Sequence, residues 1–120
     1  IKLELSPAEN LLWLAAIKGF AVDSHIDEAL NQTGLSLVRD IPCIHLSAGQ
    51  RRRVAIGWLF ITQASIWILD EPLTAIDQDG IDTAKSRFNR HLDDGGLIVL
   101  TGHQHLQLEG RQIKTLHLSA

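Results

Sequence analysis

The sequence predicts an α/β fold, in which a helical segment is followed by parallel strands with flanking helices, and three observations carry that expectation. The apolar runs Ile66–Leu69 and Leu97–Thr101 have the length and aliphatic character of strands. Segments of helical character precede the first run and separate it from the second, and strands that alternate with helices form a parallel sheet with helices on its faces. Before Pro42 the chain carries helix start and stop signals, so its first part is helical.

Each element has its own local cause. Ser6-Pro7-Ala8-Glu9 reads as a helix start, with Ser6 as N-cap, Pro7 at the first helical position and Glu9 in the capping-box place. That helix runs through Lys18 and stops at Gly19. A second begins near Asp23 or Ser24, sets Ile26, Ala29 and Leu30 on one face and ends before Gly34. After Pro42 the expected order is a helix from Ala48 to about Ile61, the strand Ile66–Leu69, a helix from about Ile81 to His91, and the strand Leu97–Thr101. Asp93-Asp94-Gly95-Gly96 supplies a helix stop and turn before that last strand. From Gln112 to Leu118, Ile113, Thr115 and His117 alternate with Lys114, Leu116 and Leu118, which predicts a short terminal strand. There is no internal repeat, low-complexity tract or sustained heptad.

Composition narrows the class. A chain of 120 residues that is 45% hydrophobic and 21% charged supports one modest core, hence one domain. The longest unbroken apolar run, Val54 to Ile61, falls far short of the roughly 20 residues that cross a bilayer. A formal net charge of -3 gives no bulk attraction to nucleic acid or to anionic lipid. The single cysteine, Cys43, cannot form an internal disulfide. No methionine occurs, and no G-x-x-x-x-G-K-S/T phosphate loop.

The chemistry begins at Ser47. A helix N-terminus offers unpaired N–H groups and partial positive charge to an anion. Ser47 adds a hydroxyl donor, and Gly49, without a Cβ, permits close backbone approach. An ordinary capped helix would carry the same residues. Downstream, Asp70 and Glu71 close an apolar strand at its C-terminal end, where ligands gather in open α/β sheets. Adjacent carboxylates on extended backbone point in different directions and can hold two roles. Asp77, in Thr74-Ala75-Ile76-Asp77, also suits a surface turn with an Asx cap. His103 follows the second strand and Gly102, and with His105 it offers a metal-binding pair as an alternative. His25, His45, His91 and His117 read as surface or partly packed residues. Arg51-Arg52-Arg53 reads as a solvated helix face rather than a nucleic-acid contact.

In order along the chain, LSAGQRRRVAIG, the run IWIL, Asp70-Glu71-Pro72, TAID, and IVLT followed by His103 resemble the signature loop, Walker B strand and later loops of ABC ATPases. The resemblance implies a partial P-loop NTPase (ABC ATPase) fold with the phosphate loop absent. The chain is then expected to be the C-terminal portion of one ABC ATPase domain, with about 1–45 forming a helical subdomain and about 46–120 the signature helix, Walker B and switch-histidine core. Ordinary domain size would put roughly ninety residues upstream.

It further implies ATP and Mg²⁺ as cofactors. Leu46, Ser47, Ala48, Gly49, Gln50 and Asp77 would be nucleotide-binding, Asp70 would reach Mg²⁺ through water, and Glu71 would be the general base for the attacking water. His103 would contact the γ-phosphate and help position that water. Implied partners are a second ATPase subunit in a head-to-tail dimer and integral membrane transporter subunits. The variant LSAGQRRR, Trp67 in WILDEP, LTAID, IVLTGHQ and LSPAENL resemble the ATP-binding subunits of heme exporters used in cytochrome c maturation, the CcmA family. This implies heme-handling maturation proteins as partners and a peripheral place on the cytoplasmic face of the inner membrane. The alternatives are another ABC transporter, an SMC or DNA-repair ATPase, whose preceding coiled coil the first residues do not match, or a non-catalytic regulatory or interaction fragment or degenerate paralogue, Glu71 and His103 arguing against degeneracy. Gly57-Trp58 departs from the family's usual Ala-Arg, and a helical glycine costs about 1 kcal/mol relative to alanine. Leu12, Trp13 and Phe20 are expected to fill the helical subdomain's own core, with contact to the membrane subunits as the alternative.

Overall fold

The computed structural model describes residues 1–19, 23–102 and 106–115. Its elements are α1 Pro7–Lys18, α2 Asp23–Gln32, α3 Ala48–Gly57, β1 Ile66–Asp70, α4 Gln78–Asp93 and β2 Leu97–Thr101, with single 3₁₀ turns at Ser36–Val38, Cys43–His45 and Trp58–Phe60. The predicted cap of α1 forms as a reciprocal pair. The Glu9 N–H donates to Ser6 Oγ at 3.2 Å, and the Ser6 N–H donates to Glu9 Oε1 at 3.0 Å. Gly19 ends the helix in the left-handed region at φ 79°.

β1 and β2 pair in parallel, in the register Ile66↔Leu97 through Asp70↔Thr101. The sequence-predicted architecture therefore holds, with three differences of detail. The third helix leaves α geometry at Gly57 and tightens to 3₁₀ through Phe60. A Cβ at Gly57 would stand 3.4 Å from Leu11 Cδ1, an ordinary van der Waals contact, so packing against α1 does not itself require glycine there. The fourth helix starts earlier than its apolar pattern suggests because Asp77 caps it. The predicted terminal strand does not form over 112–115, and 116–118 lie outside the described residues. Arg111 instead ties this segment to the end of α4, donating to Asn89 Oδ1 at 2.9 Å and pairing with Asp93.

Two apolar clusters meet at α3. Leu11, Ala15, Ile26, Ala29, Leu30, Leu35, Cys43, Leu46 and Val54 bury one side, while Ile56, Leu59, Trp67, Ala84 and Phe88 bury the other. Val54 and Ile56 lie about 200° apart on an α-helix, so one short helix serves both clusters. Trp67 is stacked on His91 with ring centroids 3.7 Å apart, and the ring of His91 also bonds the Ser65 carbonyl at 3.0 Å. His91 is thus buried at 7% exposure, further in than the surface or partly packed reading, with its ring flat on the indole and its Nε2 within hydrogen-bond distance of the Ser65 carbonyl.

α1 turns Leu11 and Ala15 inward and leaves Leu12 49%, Trp13 43% and Ile17 58% exposed. Leu12 and Trp13 therefore do not fill the core as expected: positions one and two beyond Leu11 lie about 100° and 200° around the helix from it. Phe20 lies outside the described residues. Among the described residues no helix is long and apolar enough to cross a membrane.

Candidate functional site

The site is built where the N-terminus of α3 meets the turn after β1. Ser47 caps α3 with extended backbone, φ -65° and ψ 161°. Its Oγ accepts the Gln50 N–H at 3.1 Å, and Gln50 Oε1 accepts the Ser47 N–H at 2.9 Å. The capped-helix reading and the anion-loop reading thus fall on the same residues, and the cap leaves Ser47 and Ala48 exposed. A Cβ at Gly49 would meet nothing nearer than Ser47 Oγ at 3.9 Å and Ala75 O at 4.0 Å, so packing within the chain does not require glycine there. Leu46 is only 7% exposed and lies in the first core cluster, which leaves only its backbone to face a ligand.

Asp70 is the last residue of β1 and is exposed, while Glu71 begins the turn and is half-buried. Thr101, paired with Asp70 across the sheet, holds both. Its hydroxyl donates to Asp70 Oδ1 at 2.5 Å, and the Glu71 N–H is shared between Thr101 O and Thr101 Oγ1, each at 3.2 Å. Glu71 has φ 43°, a left-handed conformation that disfavours an L side chain by about 1–2 kcal/mol. Such a residue persists when its surroundings over-determine it.

Arg52 helps supply that restraint. Its Nη2 donates to Glu71 O at 3.0 Å and its Nε to Thr74 O at 2.9 Å, and the Thr74 N–H closes the turn on Glu71 O at 3.2 Å. The neighbouring arginines are engaged as well. Arg51 donates to the carbonyls of Cys43 and Ile44 at 2.8 and 2.7 Å. Arg53 donates to Thr33 O at 3.1 Å and pairs with Asp77 at 2.6 Å. The solvated-face reading fails here for a geometric reason. Successive helix residues advance about 100°, so three in a row cannot share a face and each meets a different neighbour. Thr101 and Arg52 are residues that sequence reasoning passed over as site residues; the consecutive arginines, read by that rule, were the available signal.

Asp77 caps α4, accepting the Gly80 N–H at 3.0 Å. The hydrogen bond from Arg53, and then that N–H, hold its carboxyl below the usual carboxylate range. Gly80 is required by this cap, since a Cβ would come within 2.3 Å of Ile76 Cγ2. Burial pushes the Cys43 thiol up, keeping it protonated in the core. Among the described residues no group of three or more His, Cys, Asp or Glu could hold a metal by itself. His103 and the alternative pair with His105 lie outside the described residues.

Comparison with known proteins bears on this geometry. The family described as ABC transporter matches residues 2–74, which carry α1 to α3, the capped loop and the Asp70-Glu71 turn. The chain belongs to the ABC transporter family. Among its ABC relatives, a protein of Vibrio vulnificus (strain YJ016) named "Cytochrome c biogenesis ATP-binding export protein CcmA" is 41% identical over 119 residues, which are 98% of this chain and 58% of that protein. A protein of the same name from Pseudomonas syringae pv. tomato is 47% identical over 102 residues, 85% of this chain and 48% of that one. The chain thus spans about half the length of the curated relatives it matches. The fold agrees with that of an ABC transporter ATP-binding subunit of known structure, with a TM-score of 0.74 at 22% identity over 84% of this chain and 44% of that one. An ABC transporter ATP-binding protein from Pyrococcus furiosus gives 0.74 at 24% over 88% and 53%.

Proposed function

We propose that this chain forms the signature-loop and carboxylate half of an ATPase that drives an ABC-type membrane transporter, in heme export or delivery for c-type cytochrome biogenesis. The observation that carries this reading is the joining of a capped, exposed helix N-terminus to the Asp70-Glu71 turn through Arg52. The cargo rests on the relatives' printed names. The bare outer face of the sheet supports a longer working unit. Ile66, Ile68, Leu97 and Val99 are 59%, 77%, 54% and 48% exposed, whereas parallel sheets in α/β proteins are covered on both faces.

In the working dimer, Ser47 and the N–H groups at Ala48 and Gly49 receive the γ-phosphate of a nucleotide held chiefly by the opposite subunit. This is the role a helix N-terminus suits. Glu71 takes the proton of the attacking water. Asp70 fits Mg²⁺ because one hard carboxylate at a strand end, with water and phosphate oxygens making up the rest, is the donor set that ion accepts. Bound there, Mg²⁺ would neutralise charge on the phosphate oxygens. Asp77 sits in the loop that would cross the dimer interface, and His103 would touch the γ-phosphate. The exposed Leu12, Trp13 and Ile17 would face the membrane subunits, with the protein peripheral on the cytoplasmic side of the inner membrane.

The test is Glu71→Gln in the intact ATPase that contains this chain. Shape and hydrogen bonding are kept but the proton acceptor is lost, so hydrolysis should drop about 10²- to 10⁴-fold. ATP binding should survive, and sedimentation should show an accumulated ATP-bound dimer. Normal turnover would reassign the base, with His103 next in line. The cargo is tested apart from the chemistry: expression in a bacterium lacking its own heme-export ATPase should restore c-type cytochromes, and failure by an active enzyme would reject the heme reading alone.

A further inference from the structure

Resting on the reading of Glu71 as the base, we infer that Arg52 is the positioning residue that sets the backbone of Glu71 from the signature helix. The argument starts from the left-handed φ of 43° at Glu71, a conformation that a glutamate does not hold unaided. Its two sides are fixed from different elements. Thr101 on β2 takes the N–H, and Arg52 on α3 takes the carbonyl, with the Arg52 Nη2 to Glu71 O distance 3.0 Å. The same guanidinium reaches Thr74 O at 2.9 Å, so one planar fork spans the first and fourth residues of the turn.

A lysine ammonium is a point donor on a flexible stem and cannot span both carbonyls in a fixed plane. Arg52 has a second consequence. It stands five residues beyond the cap at Ser47, on the helix whose N-terminus would meet the other subunit's phosphate. A displacement of that helix on engaging nucleotide therefore moves the carbonyl of the base in its own subunit. The neighbouring arginines have other anchors, the Cys43 and Ile44 carbonyls for Arg51 and Thr33 and Asp77 for Arg53, so neither replaces Arg52 at the turn.

The experiment compares Arg52→Ala, Arg52→Lys, Glu71→Gln and the double variant Arg52→Ala/Glu71→Gln in the intact ATPase, measuring kcat, KM, ATP affinity and Tm. A misplacement of about 1 Å at a reacting group can lower the rate by about 10²-fold. Arg52→Ala is expected to lose kcat on that scale with KM and ATP affinity within about twofold of wild type, and Arg52→Lys to fall between the two. In the Glu71→Gln background, Arg52→Ala should cause no further loss, because a residue acting through Glu71 has nothing left to position.

Wild-type kcat in Arg52→Ala overturns the inference, and so does an undiminished additional loss in the double variant. Affinity and Tm falling in step with kcat would make Arg52 a general structural tie and also overturn it. Should Arg52→Ala not fold, Arg52→Lys decides: reduced kcat at unchanged affinity and Tm supports positioning, and full kcat rejects it. If Glu71→Gln itself turns over normally, the base assignment is lost first. If Glu71→Gln is inactive while Arg52→Ala is fully active, only the role of Arg52 is lost.

Discussion

Replacing Ser47 separates the two jobs that this residue would hold. Serine and aspartate are comparable N-caps, because either side-chain oxygen can accept the N–H three residues on. Here that bond runs from the Gln50 N–H to Ser47 Oγ at 3.1 Å, and the Gln50 side chain returns it on the Ser47 N–H at 2.9 Å. Ser47→Ala removes the acceptor and should destabilise the fold by about 1 kcal/mol. With an unfolding entropy of about 2.1 cal/mol/K per residue, that lowers Tm by about 4 °C in 120 residues and by about 2 °C in an intact ATPase of about twice that length.

Ser47→Asp keeps the cap, and a carboxylate in the first turn gains about 0.3–1 kcal/mol from the helix dipole, so Tm should hold or rise. The same carboxylate would sit against an incoming phosphate. Two like charges about 4 Å apart at an effective dielectric of about 20 repel by about 4 kcal/mol, which corresponds to about a 10³-fold loss of turnover. The assay pairs thermal unfolding with Mg-ATP turnover of the intact ATPase. A folded Ser47→Asp protein that hydrolyses ATP at the wild-type rate would refute the reasoning and leave LSAGQ as a helix cap alone.

Isothermal titration of this chain by itself with Mg-ATP should give little heat, because no phosphate loop occurs in its sequence; tight stoichiometric binding would contradict the proposed division of the site. The depressed pKa of Asp77, caused first by the hydrogen bond from Arg53, gives a signed pH dependence. A lowered folded-state pKa contributes stability that is present above the unfolded carboxylate value, about 3.9, and lost as pH falls through the folded value. Asp77→Asn should therefore lower Tm at neutral pH and approach wild type in acid below about pH 3.9, and a Tm difference unchanged across that range would rule out the ion pair as its cause.

The first helix was legible down to its caps because Ser6, Pro7, Glu9 and Gly19 act over four residues or fewer, and local hydrogen bonds need no distant partner. The two strands and their parallel pairing followed from aliphatic runs separated by helical segments. Errors fell where the deciding partner was distant in sequence. His91 was buried by stacking on Trp67, and residues 112–115 form no strand beside Arg111, whose side chain bonds Asn89 on α4. Leu12 and Trp13 were displaced from the core by Leu11 and Ala15, whose claim on the inner side of α1 depends on what α2 and α3 present to it.

For the candidate site the division is similar. Sequence alone singled out the residues proposed to carry the chemistry, since Ser47, Gly49, Asp70 and Glu71 are defined by type and by their places at a helix start and a strand end. Only the tertiary structure decided that Glu71 takes a left-handed backbone, that Thr101 bonds both members of the acidic pair, and that Arg52 reaches across nineteen positions to the turn. The physical reason lies in the range of the interactions. Caps and turns are written in neighbouring residues, whereas a guanidinium takes whichever carbonyls the packed fold brings within hydrogen-bond distance, and that choice exists only once the two core clusters have closed around α3.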